Sequence, residues 1–100
     1  MSYDPGALHA ALAAAVGNDG ALIEELRAAF VESASRQVDL LARARCDANW
    51  ELAAWRLKGL AGSFGLSALM ALAEEAAQAA PGDPAIVRRL RAVIAGLDHD

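Results

Sequence analysis

The sequence predicts an all-α domain, an up-down four-helix bundle with a short additional N-terminal helix. Three observations carry this expectation. Alanine takes 26 of the 100 positions and leucine 14, whereas valine and isoleucine together take eight and threonine is absent. Strands favour β-branched and aromatic side chains, while Ala, Leu, Glu, Arg and Gln lose little on entering a helix. Apolar residues also recur in steps of three and four, the period of a helix with one buried face. Finally, Gly, Pro, Asn and Asp punctuation divides the chain into five segments of helical length joined by short connections, which make neighbouring helices antiparallel.

The segments fall at about 5–16, 20–45, 48–64, 67–80 and 84–97, within a single domain spanning 1–100. Asp4-Pro5 opens the first, with a capping carboxylate followed by a proline suited to the first helical position. Leu8, Leu12 and Val16 form its stripe, and Gly17-Asn18 ends it. Asp19 or Asn18 caps the second helix, whose stripe reads Ile23, Leu26, Phe30, Ala34, Val38 and Leu41. Arg43 and Arg45 stand near its end, where cations meet the carbonyl pole. Asp47 is the expected cap of the third helix, which carries Trp50, Ala53, Leu57, Leu60, Ala61 and Phe64 on one side. Gly65 suits a left-handed C-terminal position, with Leu66 as the apolar residue that often follows one. Ser67 is the expected cap of the fourth helix, striped by Leu69, Leu72, Ala73, Ala76 and Ala80. Pro81-Gly82 breaks it, and Asp83-Pro84 starts a last helix lined by Ile86, Leu90, Val93, Ile94 and Leu97. The first helix is expected to lie across one end of the other four.

Composition narrows the function classes. A formal net charge of −4 argues against a general nucleic-acid binder, because phosphate contacts need a surplus of Lys and Arg on one face. Cys46 is the lone cysteine, so there is no disulfide framework, and a cytoplasmic location is expected. No apolar run reaches the roughly 18 residues of a membrane span. His9, His99 and Cys46 show no ligand spacing, so no metal and no cofactor are expected. There is no Gly-rich phosphate loop and no nucleophile triad. Glu74-Glu75 is a carboxylate pair without a pocket, and Arg88, Arg89 and Arg91 read as a solvated face balancing acidic neighbours.

The third helix departs from this pattern. Opposite its core stripe lie Glu51, Trp55, Lys58, Gly59 and Gly62, related by steps of three and four. A tryptophan thus faces solvent, and two glycines sit inside a helix at a cost of roughly 0.8–1 kcal/mol each relative to alanine. A chain with 26 alanines uses alanine at neither place. Either a partner comes close to this surface, where a Cβ would obstruct it, or the glycines admit a neighbouring helix of the same chain.

The stretch Trp55-Arg56-Leu57-Lys58-Gly59-Leu60-Ala61-Gly62-Ser63-Phe64-Gly65 resembles the signature of the histidine-containing phosphotransfer (HPt) domain family. That family's pattern is a histidine preceded by alanine, with lysine three residues on, glycine at four and another glycine at ten. Ala54, Lys58, Gly59 and Gly65 match it, and the segment order is similar to the family's bundle over essentially the whole chain. The phosphorylated histidine falls on Trp55. Indole has no nitrogen lone pair to attack an acyl phosphate, since its Nε1 only donates a hydrogen bond. Trp55 therefore cannot carry the phosphoryl group, and no catalytic residue is expected.

The resemblance implies a degenerate, non-phosphorylatable member of a two-component phosphorelay. Its partner would be a response-regulator receiver domain or a histidine kinase, whose own phosphotransfer domain is a helical bundle that this chain could mimic. The lysine matching Lys58 lies near the phosphoryl group in the family, and the glycine matching Gly59 clears space for the partner. Arg56 and Lys58 would offer charge complementary to a receiver's acidic cluster, with Trp55 as apolar anchor. Two alternatives stand beside this adaptor. One is a genuine phosphotransfer protein whose histidine is replaced here or supplied by His9 or His99. The other is a structural bundle, as in a homodimer burying Trp55.

Overall fold

The computed structural model describes residues 6–98, and these form five helices and no strand. They are α1 (Ala7–Val16), α2 (Gly20–Arg43), α3 (Asp47–Ser63), α4 (Ser67–Gln78) and α5 (Pro84–Asp98). Helix α2 packs on both α3 and α5, α3 on α4, and α4 on α5, so the four longer helices close a circuit. The chain measures 43 × 24 × 18 Å, its long dimension set by α2, whose 24 residues rise about 36 Å. No helix among the described residues is long and apolar enough to cross a membrane.

The core runs along the inside of this circuit. Ala34, Ala54, Ala61, Ala73 and Ala76 are fully buried with Leu57, Leu69, Leu90 and Trp50. Alanine buries little surface, but it lets helix axes approach, and α3 and α4 are the most closely packed pair. Trp50 supplies the bulk that alanine lacks. Its Nε1–H donates to the Ala76 carbonyl at 2.7 Å, satisfying an acceptor in the last turn of α4 as well as its own buried donor. Phe30 and Phe64 meet edge to face, with ring centroids 5.1 Å apart.

The helix ends show which local signals operate. Asp19 caps α2 by accepting from the Leu22 N–H at 3.1 Å, and Asp83 accepts from the Ala85 N–H at 2.9 Å beside Pro84. At the end of α3, Gly65 adopts φ +64° and donates to the Gly62 carbonyl, while the Leu66 N–H reaches the Ala61 carbonyl. These are the paired bonds of a Schellman motif, and Leu66 follows as its buried apolar residue.

Other expectations are corrected. The α3 cap is Cys46 rather than Asp47, and the α4 cap is Leu66 rather than Ser67; neither makes a side-chain capping bond. The Ser67 N–H is already satisfied by the Gly65 carbonyl, so the preceding turn replaces a serine cap. Helix α2 ends at Arg43, two residues before Arg45, and α4 ends at Gln78, leaving Ala80 exposed in the turn before Pro81. Helix α1 begins at Ala7 after Gly6, and the proposed Asp4-Pro5 start lies outside the described residues.

Helix α1 packs on α2 through the buried Leu8 and Leu12. Ala7 lines a small cleft with Leu66, Leu69, Val93 and Leu97, so α1 begins over the start of α4 and the end of α5. Arg27, only 3% exposed, pins this end. Its Nη1 donates to the Leu97 carbonyl at 3.0 Å, its Nη2 to His9 Nδ1 at 3.4 Å, and its Nε to Glu24 at 3.4 Å. A buried guanidinium is tolerated because it meets the carbonyl pole of α5 and a carboxylate together.

Candidate functional site

Helix α3 has two faces. Trp50, Ala53, Ala54, Leu57 and Ala61 are buried, whereas Ala48, Leu52, Trp55, Gly59 and Gly62 are all exposed. The outer set advances in steps of four and three, so it forms one seam along the helix. Trp55 is 45% exposed and Leu52 48%. Helix α2 adds Leu40, 43% exposed, which shares a groove of about 390 Å³ with Leu52, Ala53, Ala44, Asn49, Arg43 and Arg56. That groove is lined by two guanidinium groups and no carboxylate.

The glycines are not there to admit another helix of this chain. A Cβ built on Gly59 meets nothing within 4 Å. One built on Gly62 reaches the Met70 side chain at 3.5 Å, an ordinary van der Waals contact. Neither glycine adopts the positive φ that would exclude alanine. Packing within the fold therefore requires no glycine at either position. Gly65 differs, because its left-handed conformation terminates α3.

The polar members of the motif are placed unequally. Lys58 is half-buried, with Nζ 3.2 Å from Glu74 of α4 and 4.8 Å from the centroid of the Trp55 ring. The ammonium is thus held between a carboxylate and an indole face, on one flank of the seam. Arg56 is exposed on the α2 side. Ser63 is bonded to its own helix, its hydroxyl donating to the Gly59 carbonyl at 3.1 Å. Ala54 is fully buried on the core side of α3.

Several of the residues weighed as secondary candidates are taken up in ion pairs. Glu75 takes Arg89 at 2.8 Å, and Asp39 takes Arg91 at 3.0 Å. The Arg89 guanidinium holds the Glu75 carboxyl below its usual value, chiefly through their hydrogen bond, and Glu75 raises Arg89 in return. With Lys58–Glu74, ion pairs link α3 to α4, α4 to α5 and α5 to α2. His9 belongs to the Arg27 contact, and its Nδ1 must carry a lone pair to accept from the guanidinium. His99 lies outside the described residues. Among the described residues, no group of His, Cys, Asp and Glu could hold a metal ion.

Sequence periodicity places Glu51, Trp55, Lys58, Gly59 and Gly62 on the outer face, and the structure exposes all but Lys58, which is half-buried. It misses Leu52, Leu40 and Glu74. Leu52 was recoverable, since it stands three residues before Trp55 and four after Ala48. Leu40 and Glu74 come from other helices, and no spacing along α3 points to them. No family model matches this chain, and no curated protein or solved structure matches it either.

Proposed function

We propose that this chain is an HPt-like four-helix bundle that acts as a docking module, a pseudo-HPt adaptor that binds a receiver domain without transferring phosphate. The observation that carries the reading is Gly59. It sits in mid-helix, its Cβ position opens to solvent, and it lies one turn from a half-exposed tryptophan. A sequence this rich in alanine forgoes about 1 kcal/mol of helix stability there, with no gain inside the fold. A partner's close approach supplies the missing reason.

Charge favours a receiver domain over a kinase bundle as that partner. Arg43 and Arg56 line one groove with the exposed Leu40 and Leu52, complementary to a partner that presents a cluster of acidic side chains. The chemistry of the motif also fits binding rather than transfer. Trp55 offers no nucleophile, and Lys58 is already engaged by Glu74. The test is a calorimetric titration against receiver domains and kinase helical domains from the same cell, with unaltered protein and with Trp55→Ala. Saturable binding to a receiver that Trp55→Ala abolishes supports the adaptor. Binding that survives Trp55→Ala removes the anchor, and acid-labile phosphate on the unaltered protein makes it a transfer protein instead.

A further inference from the structure

We propose that the α3 face is self-complementary, and that a second copy of this chain covers it in a weak antiparallel dimer that must open before a partner docks. This rests on the reading of that face as a docking surface, and it supplies the regulation of the same site. The seam Ala48, Leu52, Trp55, Gly59 and Gly62 repeats every 3.5 residues on average, which is the repeat that lets two helices pack along their length. Its halves are opposite in shape. Leu52 and Trp55 project from one half, while Gly59 and Gly62 leave the other half flat.

Trp55 and Gly59 are four residues apart, about 6 Å along the axis. A two-fold axis level with Leu57 sets each Trp55 against the partner's Gly59, and each Leu52 near the partner's Gly62. Every contact is then made twice, as an isologous interface requires. The absence of a Cβ at Gly59 gives the incoming indole its space, and nothing in the chain already fills that space. A parallel pairing would instead bring the two Trp55 rings together and leave the glycines facing each other.

Area sets the strength. Trp55, Leu52 and Leu40 at 43–48% exposure offer on the order of 250–300 Å² of apolar surface per chain. Two copies would bury on the order of 500–600 Å² of this surface, below the size of stable specific interfaces, so the dimer is weak and transient. Charge limits it further, because each flank of the seam meets its own copy across the two-fold axis and brings Arg56 toward the partner's Arg56. An acidic partner removes that repulsion, and so displaces the second copy. Salt separates the two contacts. Screening strengthens the self-contact and weakens docking to an acidic surface.

The experiment is sedimentation velocity on the full chain up to about 1 mM, with tryptophan emission read on dilution. Trp50 is buried in either state, so a concentration-dependent blue shift reports Trp55. The weight-average mass is expected to rise from 10.4 kDa toward twice that value, and to rise further at high salt. Gly59→Leu fills the space without a clash in the monomer and improves helix propensity, so it is expected to weaken association at least tenfold while the fold is retained. Trp55→Ala does the same. Mixing these two variants restores one of the two contacts, and partial association returns. A monomer at every concentration overturns the proposal, as does a Gly59→Leu protein that still dimerises or a mixture that stays monomeric. Receiver binding is titrated separately at dilutions where the chain is monomeric, so its failure counts against the docking reading alone.

Discussion

Replacing Gly59 by alanine separates folding from docking in a single methyl group. In mid-helix the change removes backbone freedom from the unfolded chain and raises helix propensity by about 0.8–1 kcal/mol. Nothing opposes that gain, since the new Cβ meets no atom within 4 Å and the φ of Gly59 is ordinary for a helix. For a chain of this size the expected rise in Tm is about 4–8 °C, measured by circular dichroism with a urea midpoint as cross-check. The same methyl occupies the surface on which a receiver domain is proposed to rest. Overfilling a packed contact costs roughly 1–3 kcal/mol, or about 5- to 150-fold in Kd by calorimetry. Higher stability with weaker binding is thus the expected pair of results. A fall in Tm would show that the space at Gly59 is not free. A rise in Tm with receiver affinity unchanged would refute the docking argument, because the glycine would then serve neither fold nor partner.

The two tryptophans provide a matched control. Trp50→Ala empties a fully buried site and removes the indole donor to the Ala76 carbonyl, so a loss of about 3–5 kcal/mol is expected in urea unfolding, whereas Trp55→Ala is expected to stay within roughly 1 kcal/mol of the parent. Arg27→Met leaves the Leu97 carbonyl without its donor, at an expected cost of about 1–3 kcal/mol. Hydrogen exchange should then speed first in α1 and the last turn of α5; uniform acceleration through α3 and α4 would contradict the local role. Glu75 has its folded pKa lowered by Arg89, so the pair stabilises above the carboxyl's unfolded value and loses that contribution as pH falls through the folded one. Urea midpoints taken from neutral to acid pH should therefore fall less steeply in Glu75→Gln, and an unchanged profile would show the pair to be inert. Because the pair is solvent-exposed, added salt should shrink the difference.

What could be read from the sequence follows from how local each signal is. The Schellman end at Gly65-Leu66 and the Asp19 and Asp83 caps depend on residues within a few positions, and each stands where its residue type indicates. Cys46 and Leu66 cap their helices without side-chain bonds, so residue preference pointed one position too far along. The α2 stripe misled at one place for a different reason. Ile23, Arg27, Phe30 and Ala34 are the buried sequence of positions, while Leu26 is only partly covered. Spacing admits either Leu26 or Arg27 between Ile23 and Phe30, and a charged side chain is the less expected of the two to be buried. Only the meeting of α5's terminal carbonyl with His9 and Glu24 makes that burial tolerable, and those partners lie up to 70 residues away.

The site shows the same division between local and distant information. That α3 carries an aromatic and two glycines outside its core stripe is visible in one helix. Whether the glycines serve the fold or a partner depends on what lies opposite them, and that requires the neighbouring helices. Met70 lies nearest to a Cβ at Gly62, and nothing stands near Gly59, so packing within the fold does not account for the glycines, and in the docking proposal the need is a partner's. The charges then narrow what can meet the need. Lys58, Arg89 and Arg91 are each matched by a carboxylate on an adjacent helix, which leaves their positive charge largely balanced within the molecule. Arg43 and Arg56 line a groove that also exposes Leu40 and Leu52, and no carboxylate lines it. Glu51 shares the outer face with Trp55 and Glu74 pairs with Lys58 on the α4 side, so the unmatched positive charge lies on the α2 side of the apolar strip. On the docking proposal, an acidic partner would meet that side of the face, where Trp55 can bury, and the same charge would keep the self-contact weak enough to open.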